Sequence, residues 1–126
     1  MKHLLTFIAL LSFSFLFGQS CGGLTTITYN GYTYDLVEIG GQCWFKENLR
    51  TITYNDGSPI YYPGADSTAW YDTYMDSTGA YAWYNNDSST YAQNYGTLYN
   101  WYAVDNSAGL CPTGWVVPSD SAWAVL

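Results

Sequence analysis

Three cysteines, one histidine and ten carboxylates are the side chains in this sequence with the most chemistry to offer. The histidine is His3, at the very start of the chain. It falls in a stretch that reads as a leader, so the mature chain is expected to have none. Histidine is the commonest general base. Without one, a Ser-His-Asp or Cys-His site is excluded within the chain. Two-carboxylate chemistry needs a paired acid and base. Glu38 and Glu47 are the only glutamates, and no spacing marks an acidic pair. Asp56, Asp66, Asp72, Asp76, Asp87 and Asp105 sit among Asn, Ser and Gly. They offer the hard oxygen ligands that Ca²⁺ takes. No D-x-D-x-D-G run gathers them, and Asp in such settings caps turns. No C-x-x-C or His/Cys cluster supports zinc. The sequence therefore predicts no metal, no cofactor and no enzyme. Lys46 and Arg50 lie beside Glu47 and within hairpin reach of Asp35 or Glu38. A local ion pair accounts for them.

The cysteines bear on compartment. Met1-Lys2-His3 is a short basic start, and Leu4 to Phe17 follows without charge. Gly18-Gln19-Ser20 then supplies small residues at −3 and −1 of a cut after Ser20. Residues 1–20 read as a secretory signal peptide, and 21–126 as one mature domain. The apolar run is too short for a membrane span, which needs roughly 20 residues, and no later stretch is a candidate. Export, to the medium or to the cell surface, permits disulfides. Cys21, Cys43 and Cys111 make an odd count, so one partner is missing. Cys21 also stands where a lipidated cysteine would begin a lipoprotein, although Gly18 replaces the Leu that this signal wants at −3. Lipidation, or a disulfide to a segment outside this sequence, are the two expectations for it.

Composition narrows the partners. Aromatics are 20% of the chain and charged residues only 10%, against about 25% charged in most domains. Water is met instead by Tyr, Ser, Thr, Asn and Gly. Fourteen Tyr and six Trp can build an aromatic core in a small domain. The net charge of −7 argues against nucleic acid, which requires a basic footprint. It also disfavours anionic membranes.

The elements that must position these residues can be sketched. Residues 25–45 predict a β-meander. TTITY leads into Asn30-Gly31, a type I′ hairpin signal, and YTYDLVEI returns. Gly40-Gly41 turns again, and Gln42-Cys43-Trp44-Phe45 starts a third strand. Asp66 or Ser67 is placed to cap a short helix, and Gly79 breaks the chain after it. Ala80 to Tyr84 reads as a strand, Asn85 to Ser89 as a polar turn, and Leu98 to Val104 as a strand pairing back. A helix over 98–104 is the alternative, because periodicity is ambiguous over so few residues. Pro118-Ser119-Asp120 signals a helix start.

Four motifs in order carry a family resemblance: CWFKENLRTITYNDG, TGAYAWYNND, YGTLYNWYAV and LCPTGWVVPSDSAW. Together the chain from about Thr26 to Leu126 resembles the Fibrobacter succinogenes major paralogous domain family. The resemblance implies an exported bacterial domain with no established activity. Its G-W-x-[VL]-P-[ST]-D-x-x-W segment is similar to an element of formylglycine-generating-enzyme-like domains. That analogy implies an α+β fold of C-type-lectin-like kind, with small antiparallel sheets, short helices and long loops. The family pattern carries His where Val116 stands and Glu where Ala122 stands, and it continues beyond Trp123, so truncation at the C-terminus is expected. Matching points of the pattern also suggest a Cys43–Cys111 disulfide.

The functional expectation is a non-catalytic surface or secreted module that contacts a glycan or a protein. Formylglycine-generating-type or glycan-processing enzymes are the alternative. Trp44, Trp83, Trp101, Trp115 and Trp123 are expected in the core. Tyr61, Tyr62, Tyr71 and Tyr74, in the loop-rich middle, are the candidate contact surface.

Overall fold

The computed structural model describes residues 21–126, so the expected signal peptide over 1–20 lies outside it. The meander forms as the sequence predicts. Strands β1 (Thr26–Tyr29), β2 (Tyr32–Ile39) and β3 (Gln42–Phe45) make an antiparallel sheet in the order β1-β2-β3. Both hairpins close on two residues, with Tyr29 opposite Tyr32 and Ile39 opposite Gln42. Asn30, Gly31, Gly40 and Gly41 all take positive φ, as this turn chemistry requires. Alternation along β2 turns Tyr34 and Leu36 inward. Tyr34 is fully buried and stacks on Phe45 with ring centroids 4.7 Å apart. Its hydroxyl accepts from the Arg50 amide at 3.0 Å. Lys46 pairs with Asp35 at 3.7 Å, both half exposed. Such a surface pair contributes little.

The rest is α+β. Helices α1 (Ser67–Met75), α2 (Ser88–Tyr95), α3 (Trp101–Val104) and α4 (Asp120–Trp123) accompany a two-stranded antiparallel ladder of β4 (Tyr81–Ala82) and β5 (Leu98–Tyr99). Tyr54, Ile60, Tyr81, Ala103 and Leu110 form the core, with Leu49, Trp83 and Tyr99 packed against it. Gly79 sits at its tightest crossing. A Cβ there would overlap the Tyr54 hydroxyl and lie 2.9 Å from Ala103 Cα.

The expected strand over Leu98–Val104 is half right. It pairs with β4 for two residues, Tyr81 with Tyr99 and Ala82 with Leu98, then becomes α3. Asn100 makes the switch. Its Oδ1 accepts from the amides of Ala80 and Ala103, each at 2.9 Å, and its Nδ2 donates to Thr78 O at 2.9 Å. One side chain therefore caps α3 and secures the chain entering β4. The expected turn at Asn85–Ser89 is also corrected. A single 3-10 turn (Tyr84–Asn86) leads into α2, because Asp87 caps the helix. The tryptophans divide: Trp101 and Trp123 are exposed, while Trp44, Trp83 and Trp115 are half-buried.

The Cys43–Cys111 expectation is overturned. Cys43 bonds Cys21, with Cα atoms 4.8 Å apart, and Cys111 is a free thiol. The register explains the choice. β1 and β3 flank β2, and Cys43 lies opposite Glu38 near the Gly40-Gly41 end. The chain ahead of β1 runs past that same end, and Gly22 and Gly23, both at positive φ, turn Cys21 back. Cys111 follows Leu110, whose carbonyl accepts from the Tyr29 hydroxyl at 3.2 Å. Tyr29 marks the Asn30-Gly31 end, roughly 20 Å away along β2 at about 3.3 Å per residue. A disulfide needs Cα atoms within about 7 Å. Cys21 thus finds its partner inside the chain. Its Sγ, once in the disulfide, has no valence left for a lipid thioether.

Burial raises the phenol pKa of Tyr34, Tyr54, Tyr29 and Tyr81 above the usual value, and that of Tyr99 most of all. A folded-state pKa above the unfolded one gives stability that is present below the unfolded pKa and lost as pH rises beyond it. The urea midpoint should therefore hold from pH 7 to 9 and fall progressively above pH about 10. A midpoint unchanged between pH 9 and 11 would contradict the burial of these phenols.

Candidate functional site: an aromatic surface

The four candidate tyrosines occupy two places. Tyr61 forms an isolated parallel bridge with Ala80, its carbonyl accepting from the Tyr81 amide at 2.9 Å. Its ring stays half exposed. Tyr62 lies over Tyr81 with centroids 5.1 Å apart and meets Trp83 edge-on at 5.0 Å. Tyr81 is buried, so this three-ring group runs from the core to the surface.

Tyr71 and Tyr74 stand on α1. The helix starts where the sequence predicts, with Asp66 Oδ1 accepting from the amides of Thr68 and Ala69. Its inner side carries buried Thr73 and half-buried Trp70, whose Nε1 donates to Gly64 O at 2.9 Å. That leaves Tyr71 and Tyr74 61% and 67% exposed. Among the described residues neither belongs to an aromatic pair, so the four tyrosines do not form one cluster.

A second aromatic group was missed from sequence. Tyr84, Tyr91 and Tyr95 form a triangle with centroid separations of 5.0, 5.7 and 5.9 Å. Tyr84 and Tyr95 are each just over half exposed. The available signal was Tyr91 and Tyr95 at i, i+4 behind an Asp N-cap, and taking 85–89 as a turn hid it. Asp87 Oδ1 accepts from the Thr90 amide at 3.1 Å and the Ser89 hydroxyl at 2.6 Å. These bonds, the Ser89 hydroxyl foremost, hold its carboxyl below the usual range. At the other end Asn48 Nδ2 donates to Tyr95 O at 3.2 Å, and Arg50 Nη2 donates to Gln93 O. The Arg50 guanidinium also lies 4.0 Å over the Tyr32 ring. A cation on the last carbonyls suits a helix C-terminus. Gly96 then leaves the helix at positive φ, where a Cβ would come within 2.7 Å of Leu49 O.

A cleft of about 320 Å³ is lined by Val104, Leu110, Cys111, Trp115, Val116 and Val117. Cys111 is its one ionisable side chain. Burial pushes the thiol's pKa up, which keeps it protonated at neutral pH and poorly nucleophilic. Among the described residues no three His, Cys, Asp or Glu side chains are grouped to hold a metal ion. No helix among them is long and apolar enough to cross a membrane.

The pattern of the Fibrobacter succinogenes major domain matches residues 37–126. The chain belongs to that family. No curated protein and no solved structure matches it. In this Fibrobacter succinogenes major domain, the matched segment contains both aromatic groups, α1, the cleft and two of the three cysteines. β1 and Cys21 lie ahead of it. Val116, where the resemblance implies His, stands exposed at the cleft, so this copy brings no imidazole there.

Proposed function

We propose that this Fibrobacter succinogenes major domain is an exported, non-catalytic module that binds a glycan or a protein at the cell surface. The observation that carries the proposal is a surface rich in exposed tyrosine held on braced backbone. Tyr61 is fixed by the Ala80 bridge and Tyr62 by its ring contacts, and Tyr71 and Tyr74 stand on a capped helix. Tyrosine gives large contact area at low conformational-entropy cost. Export is supported by the leader-like N-terminus and by the Cys21–Cys43 disulfide, which persists in oxidising compartments. Kinship with C-type-lectin-like folds belongs to the same proposal and rests on the Gly114-to-Trp123 motif.

The test is depletion from solution. The purified full chain should be removed by insoluble cell-wall glycan or by immobilised surface protein, and should release no product from glycoside or thiol substrates. Tyr61→Ala/Tyr62→Ala and Tyr71→Ala/Tyr74→Ala variants that fold normally locate the contact. Retention of binding by both moves the site elsewhere on the module, and turnover of a sugar or thiol substrate overturns the module itself.

A further inference from the structure

Helix α2 buries none of its side chains. An eight-residue helix is marginal in water without packing. Yet this one is capped at both ends, by Asp87 at its start and by Asn48 and Arg50 at its finish. What these bonds fix is a surface: the ring triangle of Tyr84, Tyr91 and Tyr95. Two asparagines adjoin it, Asn85 and Asn86. Both are exposed, both are in left-handed backbone at φ 53° and 54°, and neither side-chain amide is bonded to another described residue.

We infer that the Tyr84–Tyr91–Tyr95 triangle is an angled aromatic platform for the pyranose rings of a neutral glycan, with Tyr91 and Tyr95 26° from parallel, Tyr84 standing at 81° to Tyr91, and the Asn85 and Asn86 side-chain amides as hydroxyl partners. This rests on the module reading above and adds a site and a ligand class to it. Exposed aromatic faces pack against the C–H faces of sugars. Amides donate and accept at once, as a hydroxyl needs from its partner.

Charge decides that the glycan is neutral. The described residues hold two cations, Lys46 and Arg50. Lys46 faces Asp35, and Arg50 is engaged by Gln93 O and the Tyr32 ring. Arg50 is thus occupied, Lys46 is a single lysine already facing a carboxylate, and the chain's net charge of −7 repels polyanions. A buried protein interface would also want an apolar centre of larger extent than three tyrosines with wet hydroxyls.

The probes are cellohexaose, mannohexaose and an oligogalacturonate, titrated into the full chain by calorimetry. At least one neutral hexasaccharide should bind, and the oligogalacturonate should bind at least tenfold more weakly. Tyr91→Ala/Tyr95→Ala should weaken neutral-sugar binding by tenfold or more. Tyr84→Phe/Tyr91→Phe/Tyr95→Phe, which keeps the rings and guards against misfolding, should stay within about threefold. Neutral-sugar binding that survives the Ala pair but is lost in Tyr61→Ala/Tyr62→Ala or Tyr71→Ala/Tyr74→Ala would overturn the platform and leave the module reading intact. Preferential binding of the oligogalacturonate would overturn the ligand class. If no saccharide binds at millimolar concentration while a surface protein does, the glycan proposal falls and the module reading stands. If neither binds, both fall.

Discussion

Replacing Asn100 with Ala should cost the fold about 4 kcal/mol. The side chain makes three hydrogen bonds at once, to the amides of Ala80 and Ala103 and to Thr78 O. Ala80 and Ala103 are both fully buried, and while the Ala103 amide also donates to Asn100 O at 3.1 Å, the Ala80 amide has no second acceptor among the described residues. A typical bond contributes about 1 kcal/mol net, and an orphaned buried donor adds about 1–3 kcal/mol. The loss of an N-cap is part of the same total, at about 1 kcal/mol. Asn100→Asp keeps the acceptor but sets a carboxylate oxygen against Thr78 O in place of the donor, so it should still destabilise, though by less than the Ala variant. Urea unfolding of the two variants gives the comparison. A cost below about 1 kcal/mol for the Ala variant would show that Asn100 does not join β4 to α3 as described.

The second large effect belongs to the disulfide. Cys21 and Cys43 are 22 residues apart, and closing a loop of that size contributes about 3 kcal/mol in the chain-entropy account. Cys21→Ser/Cys43→Ser should lower stability by that amount. Cys111→Ser should change it by less than about 1 kcal/mol, since it removes one half-buried thiol. Peptide mapping without reductant should link the Cys21 and Cys43 peptides. A Cys43–Cys111 peptide, or a diacylglyceryl adduct on Cys21, would contradict the pairing.

Local chemistry was legible where residues near in sequence decide the outcome. Asn30-Gly31 and Gly40-Gly41 specify two-residue turns on their own, and β-branched and aromatic residues fill the strands between them. Asp66 and Ser119 begin their helices because each supplies a capping oxygen to amides two or three residues on. The switch at Asn100 was not legible, since β-formers flank it on both sides. Its cap to the Ala103 amide is local, but what fixes the side chain there is also Thr78 and Ala80, some twenty residues away. The disulfide was misassigned for a related reason. Motif positions align Cys43 with Cys111, whereas strand register, a property of the folded sheet, brings Cys21 alongside Cys43.

The candidate site divides the same way. Tyr61, Tyr62, Tyr71 and Tyr74 are all exposed, because so few charges leave tyrosine to meet the water. Their separation into a ring group at Tyr62 and an unpaired helix face at Tyr71 and Tyr74 depends on where Tyr81 and Trp83 lie. The Tyr84–Tyr91–Tyr95 triangle depends on α2, which Asp87 caps locally but which Asn48 and Arg50, remote in sequence, secure at its other end. Trp101 and Trp123 were expected inside because tryptophan carries so much apolar area. Trp123 instead packs beside Trp44 with centroids 5.1 Å apart and remains 57% exposed.

The most direct test of an aromatic binding surface is the aromatic ¹H–¹³C NMR spectrum of the full chain during titration with a neutral hexasaccharide. The ring signals of Tyr84, Tyr91 and Tyr95 should shift together and saturate, while those of buried Tyr34 and Tyr54 stay fixed and the saccharide remains intact. Tyrosine rings that all stay unmoved at millimolar saccharide, or a saccharide cleaved during the titration, would contradict the account.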